Sequence, residues 1–98
     1  MVECELKRDG EGSYSLIGRM EFDTVAWLLK KSSREFADNG SITLDLDQVT
    51  SVDSAGLALL LRWIANARHE STQIRLLNIP EKLLSIARIS DVDGLLAS

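Results

Sequence analysis

The groups in this chain with chemical potential are few, and the most suggestive are a carboxylate and a hydroxyl side by side. Asp53 and Ser54 stand where a strand-exit loop meets an apolar helix, in Val52-Asp53-Ser54-Ala55-Gly56-Leu57-Ala58-Leu59-Leu60-Leu61. A helix N-terminus leaves its first backbone N–H groups unpaired and carries partial positive charge. The Asp53 carboxylate or the Ser54 hydroxyl can therefore cap it, and a phosphate on Ser54 would be stabilised there. Two readings of Ser54 stand at this point, a simple N-cap and a regulated hydroxyl. Gly56, in the first turn, allows another backbone or surface to approach closely.

The remaining candidates argue against catalysis. His69 is the one histidine, at an expected helix C-terminus beside Glu70, where a cation is favoured electrostatically, so it reads as a solvated end residue. Asp45, Asp47 and Asp53 could be gathered into a metal or acid/base cluster, but Asp45 and Asp47 alternate with Leu44 and Leu46 and read as the wet side of a strand. Cys4 alternates in the same way and has no histidine placed to activate it, so it reads as a core residue. There is no Cys/His spacing for a metal and no Gly-x-x-x-x-Gly-Lys-Ser/Thr loop for a nucleotide phosphate. No cofactor is expected.

The elements that position Asp53 and Ser54 follow from hydrophobic periodicity. Val2, Cys4 and Leu6 alternate with charged residues as a half-buried strand, Asp9-Gly10-Glu11-Gly12 supplies a turn, and Tyr14 to Gly18 returns antiparallel. From Asp23 the period becomes helical, with Val25, Leu28, Leu29, Ser32 and Phe36 on one face, Trp27 opposite, and Asn39-Gly40 as a stop. Ile42, Leu44 and Leu46 mark a strand that enters a loop from Gln48 to Asp53. A second helix runs from Ser54 to about His69, Ile74 to Leu77 form a further strand, and Pro80 opens a third helix. The tail from Asp91 to Leu96 reads as a final short turn. The order ββαβαβα predicts an α/β fold: a four- to five-stranded mixed β-sheet with three to four α-helices packed mainly on one face.

With 98 residues the chain can enclose one modest core, so residues 1–98 are read as a single domain. The net charge of −4 and the absence of any basic run beyond Lys7-Arg8 and Lys30-Lys31 exclude a nucleic-acid footprint and give none for an anionic membrane. A lone cysteine fits a reducing compartment, the acidic N-terminus is unlike a secretory signal, and the apolar stretch Ala55–Leu61 is far short of a membrane span. Any membrane connection is expected to come through a partner. Taking Leu57, Leu60, Leu61 and Ile64 as the core stripe of the second helix, Ala55, Leu59, Arg62, Trp63 and Asn66 project outward as a docking face. Trp and Arg are favoured interface anchors. The competing reading has Trp63 fold over the helix edge into the core.

The segment from Val52 to Leu61 resembles the signature of the STAS family, in which Asp-Ser or Asp-Thr precedes a small residue, a glycine and an apolar helix. The element order and lengths are similar over essentially the whole chain. Ala58-Leu59-Leu60-Leu61 and the ending Ile79-Pro80-Glu81-Lys82-Leu83-Leu84-Ser85-Ile86-Ala87 resemble the MlaB-like branch, small subunits of the ABC transporter that moves phospholipid between the envelope membranes of Gram-negative bacteria. The resemblance implies a non-enzymatic subunit bound to the transporter's cytoplasmic ATPase, peripheral to the inner membrane and serving outer-membrane lipid asymmetry. Partner contacts would involve Asp53, Ser54, Ala55, Gly56, Leu59, Arg62 and Trp63. It leaves one alternative, an anti-sigma-factor antagonist whose affinity for a kinase partner is set by phosphorylation of Ser54.

Overall fold

The computed structural model describes residues 4–37 and 39–96. Alternation of apolar and charged side chains builds the opening hairpin, β1 (Cys4–Gly10) and β2 (Ser13–Met20), paired antiparallel from Cys4–Gly18 to Gly10–Ser13. Val2, expected in the first strand, lies outside the described residues. Cys4 and Leu6 point inward and are buried, while Glu5 and Lys7 face water. Helix α1 (Val25–Glu35) follows, then β3 (Ser41–Asp45), β4 (Val49–Val52), helix α2 (Ser54–His69), β5 (Gln73–Leu77), helix α3 (Glu81–Ile89) with Pro80 at its N-cap, and a short α4 (Asp93–Leu96).

The result is a five-stranded mixed sheet with four helices. The strands run β1-β2-β3-β5, with β4 also paired to β2. Parallel pairs join β2 to β3 (Ser13–Thr43 to Ser15–Asp45), β3 to β5 (Ser41–Gln73 to Asp45–Leu77) and β2 to β4. The first half of β2 thus lies beside β3 and its second half beside β4. The switch occurs at Gly18, whose φ of 99° and adjacent register shift let the strand bend there.

The strand Val49–Val52 corrects the reading of Gln48–Asp53 as a loop. Its four residues include Thr50 and Ser51, so no alternation announces it; it exists because the Leu46–Gln48 turn returns the chain to the free edge of β2, with Gly18 N–H donating to the Gln48 carbonyl at 3.1 Å.

The core lies between one sheet face and the helices, with Leu16, Leu44, Leu28, Leu60 and Leu83 fully buried. The other face carries exposed Glu5, Lys7, Gln73 and Arg75. One aromatic chain ties α1 and α2 to the sheet. The Phe36 ring meets Tyr14 edge-on at 5.1 Å and Trp63 at 5.6 Å, and the Tyr14 hydroxyl donates to the Glu35 carbonyl at 2.6 Å.

Candidate functional site

Pairing of β4 with β2 sets Met20 beside Val52 and so delivers Asp53 to the loop that leaves β2. The Asp53 side chain then serves both sides of the junction. Its Oδ1 accepts from the backbone N–H groups of Ala55 (2.9 Å) and Gly56 (3.2 Å), capping α2, and its Oδ2 accepts from Phe22 N–H at 3.0 Å. The Asp53 N–H donates to the Met20 carbonyl at 3.3 Å. One carboxylate therefore satisfies two orphan donors of the helix and pins the β2–α1 loop to it.

Burial alone would raise the Asp53 pKa. The three N–H donors from Phe22, Gly56 and Ala55, with the positive charge of Lys82, outweigh it and hold the carboxyl below its ordinary value of 3.8. A depressed folded-state pKa stabilises the fold fully above 3.8 and loses that contribution as the pH falls through the lower folded value. Asp53→Ala should cost about 1–2 kcal/mol at neutral pH. Asp53→Asn should cost less, because it keeps one cap oxygen but presents an N–H₂ group to its other partner. In urea denaturation the gap between Asp53→Ala and the parent should narrow below about pH 4; a gap independent of pH would contradict the charged cap.

Because Asp53 is the cap, Ser54 is released from that duty. It is the first residue of α2 and is exposed. The reading of Ser54 as a simple N-cap is thereby corrected: the extended backbone at Asp53 (φ −138°, ψ −171°) places the Asp53 side chain, and not the next one, over the free N–H groups.

The loop opposite is tightly built. Thr24 Oγ1 accepts from Glu21 N–H at 3.0 Å and donates to the Arg19 carbonyl at 2.7 Å, while Arg19 pairs with Glu21 at 3.3 Å and with Asp23. These bonds hold Phe22 out of the protein with 83% of its surface exposed. The loop thus presents an exposed aromatic ring at the junction where Asp53 caps α2. The sequence reading missed Phe22, since an aromatic inside a polar turn has no periodic signal.

The expected outward face of α2 is corrected. Leu59 and Trp63 are 5% and 3% exposed, and Gly56 is buried. The helix is wedged against α1 and α3 as well as the sheet, so its buried arc runs from Leu59 round to Leu57, about 160° at 100° per residue. Taking Leu57, Leu60, Leu61 and Ile64 as the stripe captures only the Leu60–Ile64–Leu57 side of that arc, with Leu61 half-buried beyond it. Trp63 takes the inward course, its Nε1–H donating to the Ser32 hydroxyl of α1 at 2.7 Å. Gly56 does accept a close backbone, but it is the chain's own Met20. Of the proposed contact residues, Ser54 and Arg62 are exposed and Asp53 and Ala55 half-buried. With Ala58 between them, Ser54 and Arg62 form an outward ridge at four-residue spacing.

Among the described residues no group of His, Cys, Asp or Glu could hold a metal ion, and no helix is long and apolar enough to cross a membrane. His69 closes α2 in an exposed position and Cys4 is buried. The Asp45 carboxyl lies below its ordinary value because it accepts from the Asn78 amide and the Asp47 N–H, a tie between the ends of β3 and β5.

Comparison with known proteins agrees with this architecture. The family model described as "Mlab, STAS domain" matches residues 6–97. The intermembrane phospholipid transport system binding protein MlaB of Escherichia coli (strain K12) is 32% identical over 75 residues, covering 76% of this chain and 75% of that protein. Its counterpart from Shigella flexneri matches to the same extent. In fold, the unphosphorylated anti-sigma factor antagonist SpoIIAA superimposes with a TM-score of 0.71 at 17% identity, covering 94% of this chain and 84% of that one. A sulfate transporter family protein from Wolinella succinogenes gives 0.68 at 16% identity, covering 94% and 75%. A family match spanning nearly the whole chain, on a sheet and helix order of the same kind, means that this chain belongs to the MlaB-type STAS domain family.

Proposed function

We propose that this chain is a non-enzymatic subunit of a phospholipid-transporting ABC complex and that it binds the complex's cytoplasmic ATPase through the corner formed by Phe22, Ser54 and the start of α2. In this role it sits at the inner membrane by way of its partner and supports outer-membrane lipid asymmetry. The observation that carries the reading is the 32% identity to proteins named as binding components of an intermembrane phospholipid transport system. The geometry supports it with an exposed aromatic and an exposed hydroxyl on a rigid junction that has no internal use for either.

In its own host the tagged protein should co-purify stoichiometrically with an ABC ATPase. Phe22→Ala should weaken that complex by about 2 kcal/mol, roughly thirtyfold in Kd, without altering the melt. Ser54→Glu should weaken it by adding an unpaired charge at the contact, while Ser54→Thr keeps the hydroxyl and should bind almost as the parent does. Recovery of an anti-sigma kinase with Ser54 phosphorylated, and of no ATPase, would transfer the protein to the switch reading. Phe22→Ala binding with parental affinity would move the contact elsewhere on the surface.

A further inference from the structure

A second surface lies on the solvent side of α1. Trp27 is 38% exposed, and the Lys31 Nζ sits 5.7 Å from the centroid of its ring. Lys30 and Arg34 complete a shallow cleft lined by these four residues. Among the described residues none of Lys30, Lys31 and Arg34 is ion-paired; the ion pairs belong to Arg19 and Arg88. In a chain with 15 acidic and 11 basic residues, three cations beside one half-exposed indole make a local reversal of the overall sign. The Trp63 ring, by contrast, is committed to the core, so the two tryptophans do different work.

We infer that the Trp27–Lys30–Lys31–Arg34 face of α1 binds an acidic protein segment that carries aliphatic side chains among its carboxylates. The carboxylates meet the three cations, and an aliphatic group packs on the open edge of the indole. The geometry disfavours an anionic membrane as occupant. Burying the Trp27 indole in an acyl layer would require the Lys31 ammonium, 5.7 Å from the ring centroid, to give up that contact. Three cations also fall short of the roughly four to eight that fasten a protein to an anionic leaflet, and the net charge of −4 opposes the approach. This inference does not depend on the identity of the partner at Phe22 and Ser54.

The two indole N–H resonances of the intact protein give the test, with Trp63, bonded to Ser32, as an internal reference for the fold. The probe is a synthetic peptide repeating Glu-Glu-Leu, with a Lys-Lys-Leu peptide and phosphatidylglycerol vesicles as the other arms. The Trp27 resonance should shift saturably with the acidic peptide alone, while Trp63 stays in place. Lys30→Glu with Lys31→Glu should weaken binding at least about tenfold, and Lys30→Gln with Lys31→Gln should weaken it less, both with unchanged melts, since these side chains lie at the surface. No shift with the acidic peptide, or equal binding by the charge-reversed variant, would overturn the inference. A shift with the vesicles and none with the peptide would replace it with a membrane contact.

Discussion

Leu59→Glu should abolish the cooperative melt of this protein, while Ala58→Glu, one residue earlier, should melt within about 0.5 kcal/mol of the parent. Leu59 is 5% exposed inside the junction of α2 with its neighbours, whereas Ala58 faces water between Ser54 and Arg62. Truncating a buried leucine already costs about 2–5 kcal/mol. Glutamate adds a carboxyl that must either be buried as an unpaired charge or take up a proton at the cost of a raised pKa. A domain of this size is stable by only about 5–15 kcal/mol, so the sum removes most or all of it. Circular dichroism melts of the two variants side by side read the rotational phase of α2 directly. A parental melt for Leu59→Glu, with loss of the melt in Ala58→Glu, would rotate the helix by one residue and return Leu59 to the surface.

Gly56→Ala should lower the melting temperature by several degrees, although alanine is the better helix former. A Cβ at residue 56 would fall on the Met20 carbonyl oxygen, well inside van der Waals contact, and 3.1 Å from the Met20 Cβ. The obstacle is strand backbone, which cannot rotate aside. The first turn of α2 must therefore lift from β2, straining the Asp53 N–H bond to that same Met20 carbonyl. Overpacking of this kind costs about 1–3 kcal/mol, against roughly 1 kcal/mol of helix propensity gained. At about 4–8 °C per kcal/mol in a domain near this length, the net loss is measurable by scanning calorimetry. Gly56→Val should be worse. The junction also positions Ser54 and Phe22, so the alanine variant should lose partner affinity beyond what its stability explains. An unchanged or raised melting temperature would mean that α2 does not approach β2 so closely.

Much of this architecture is legible in the residues themselves. Strict alternation in Cys4–Lys7 and Ile42–Leu46, and a helical period from Val25 to Phe36 and from Ser54 to His69, place the hairpin, the third strand and both long helices, because period two and period 3.6 are properties of the local backbone. Asp53-Ser54 before Gly56 marks the helix start for the same reason: unpaired N–H groups select a carboxylate or hydroxyl. Asp53 rather than Ser54 became the cap, and strand β4 formed without alternation, through its pairing to β2. A helical wheel reports which residues share a face, but not how many neighbours a helix has. A wheel therefore puts Leu59 outward and leaves Trp63 open between surface and core, whereas packing of α2 against α1 and α3 as well as the sheet buries both. The exposure of Phe22 is of the same kind. It depends on Asp53, 31 residues away, accepting the Phe22 N–H, and on Thr24 and Arg19 tying the loop beneath it. Local periodicity and capping chemistry thus determined every long element and the start of the site, whereas strand β4, the burial of the Leu59 side of α2, the Gly56–Met20 approach and the projection of Phe22 were decided by tertiary contacts between segments distant in the chain, for which no local pattern exists.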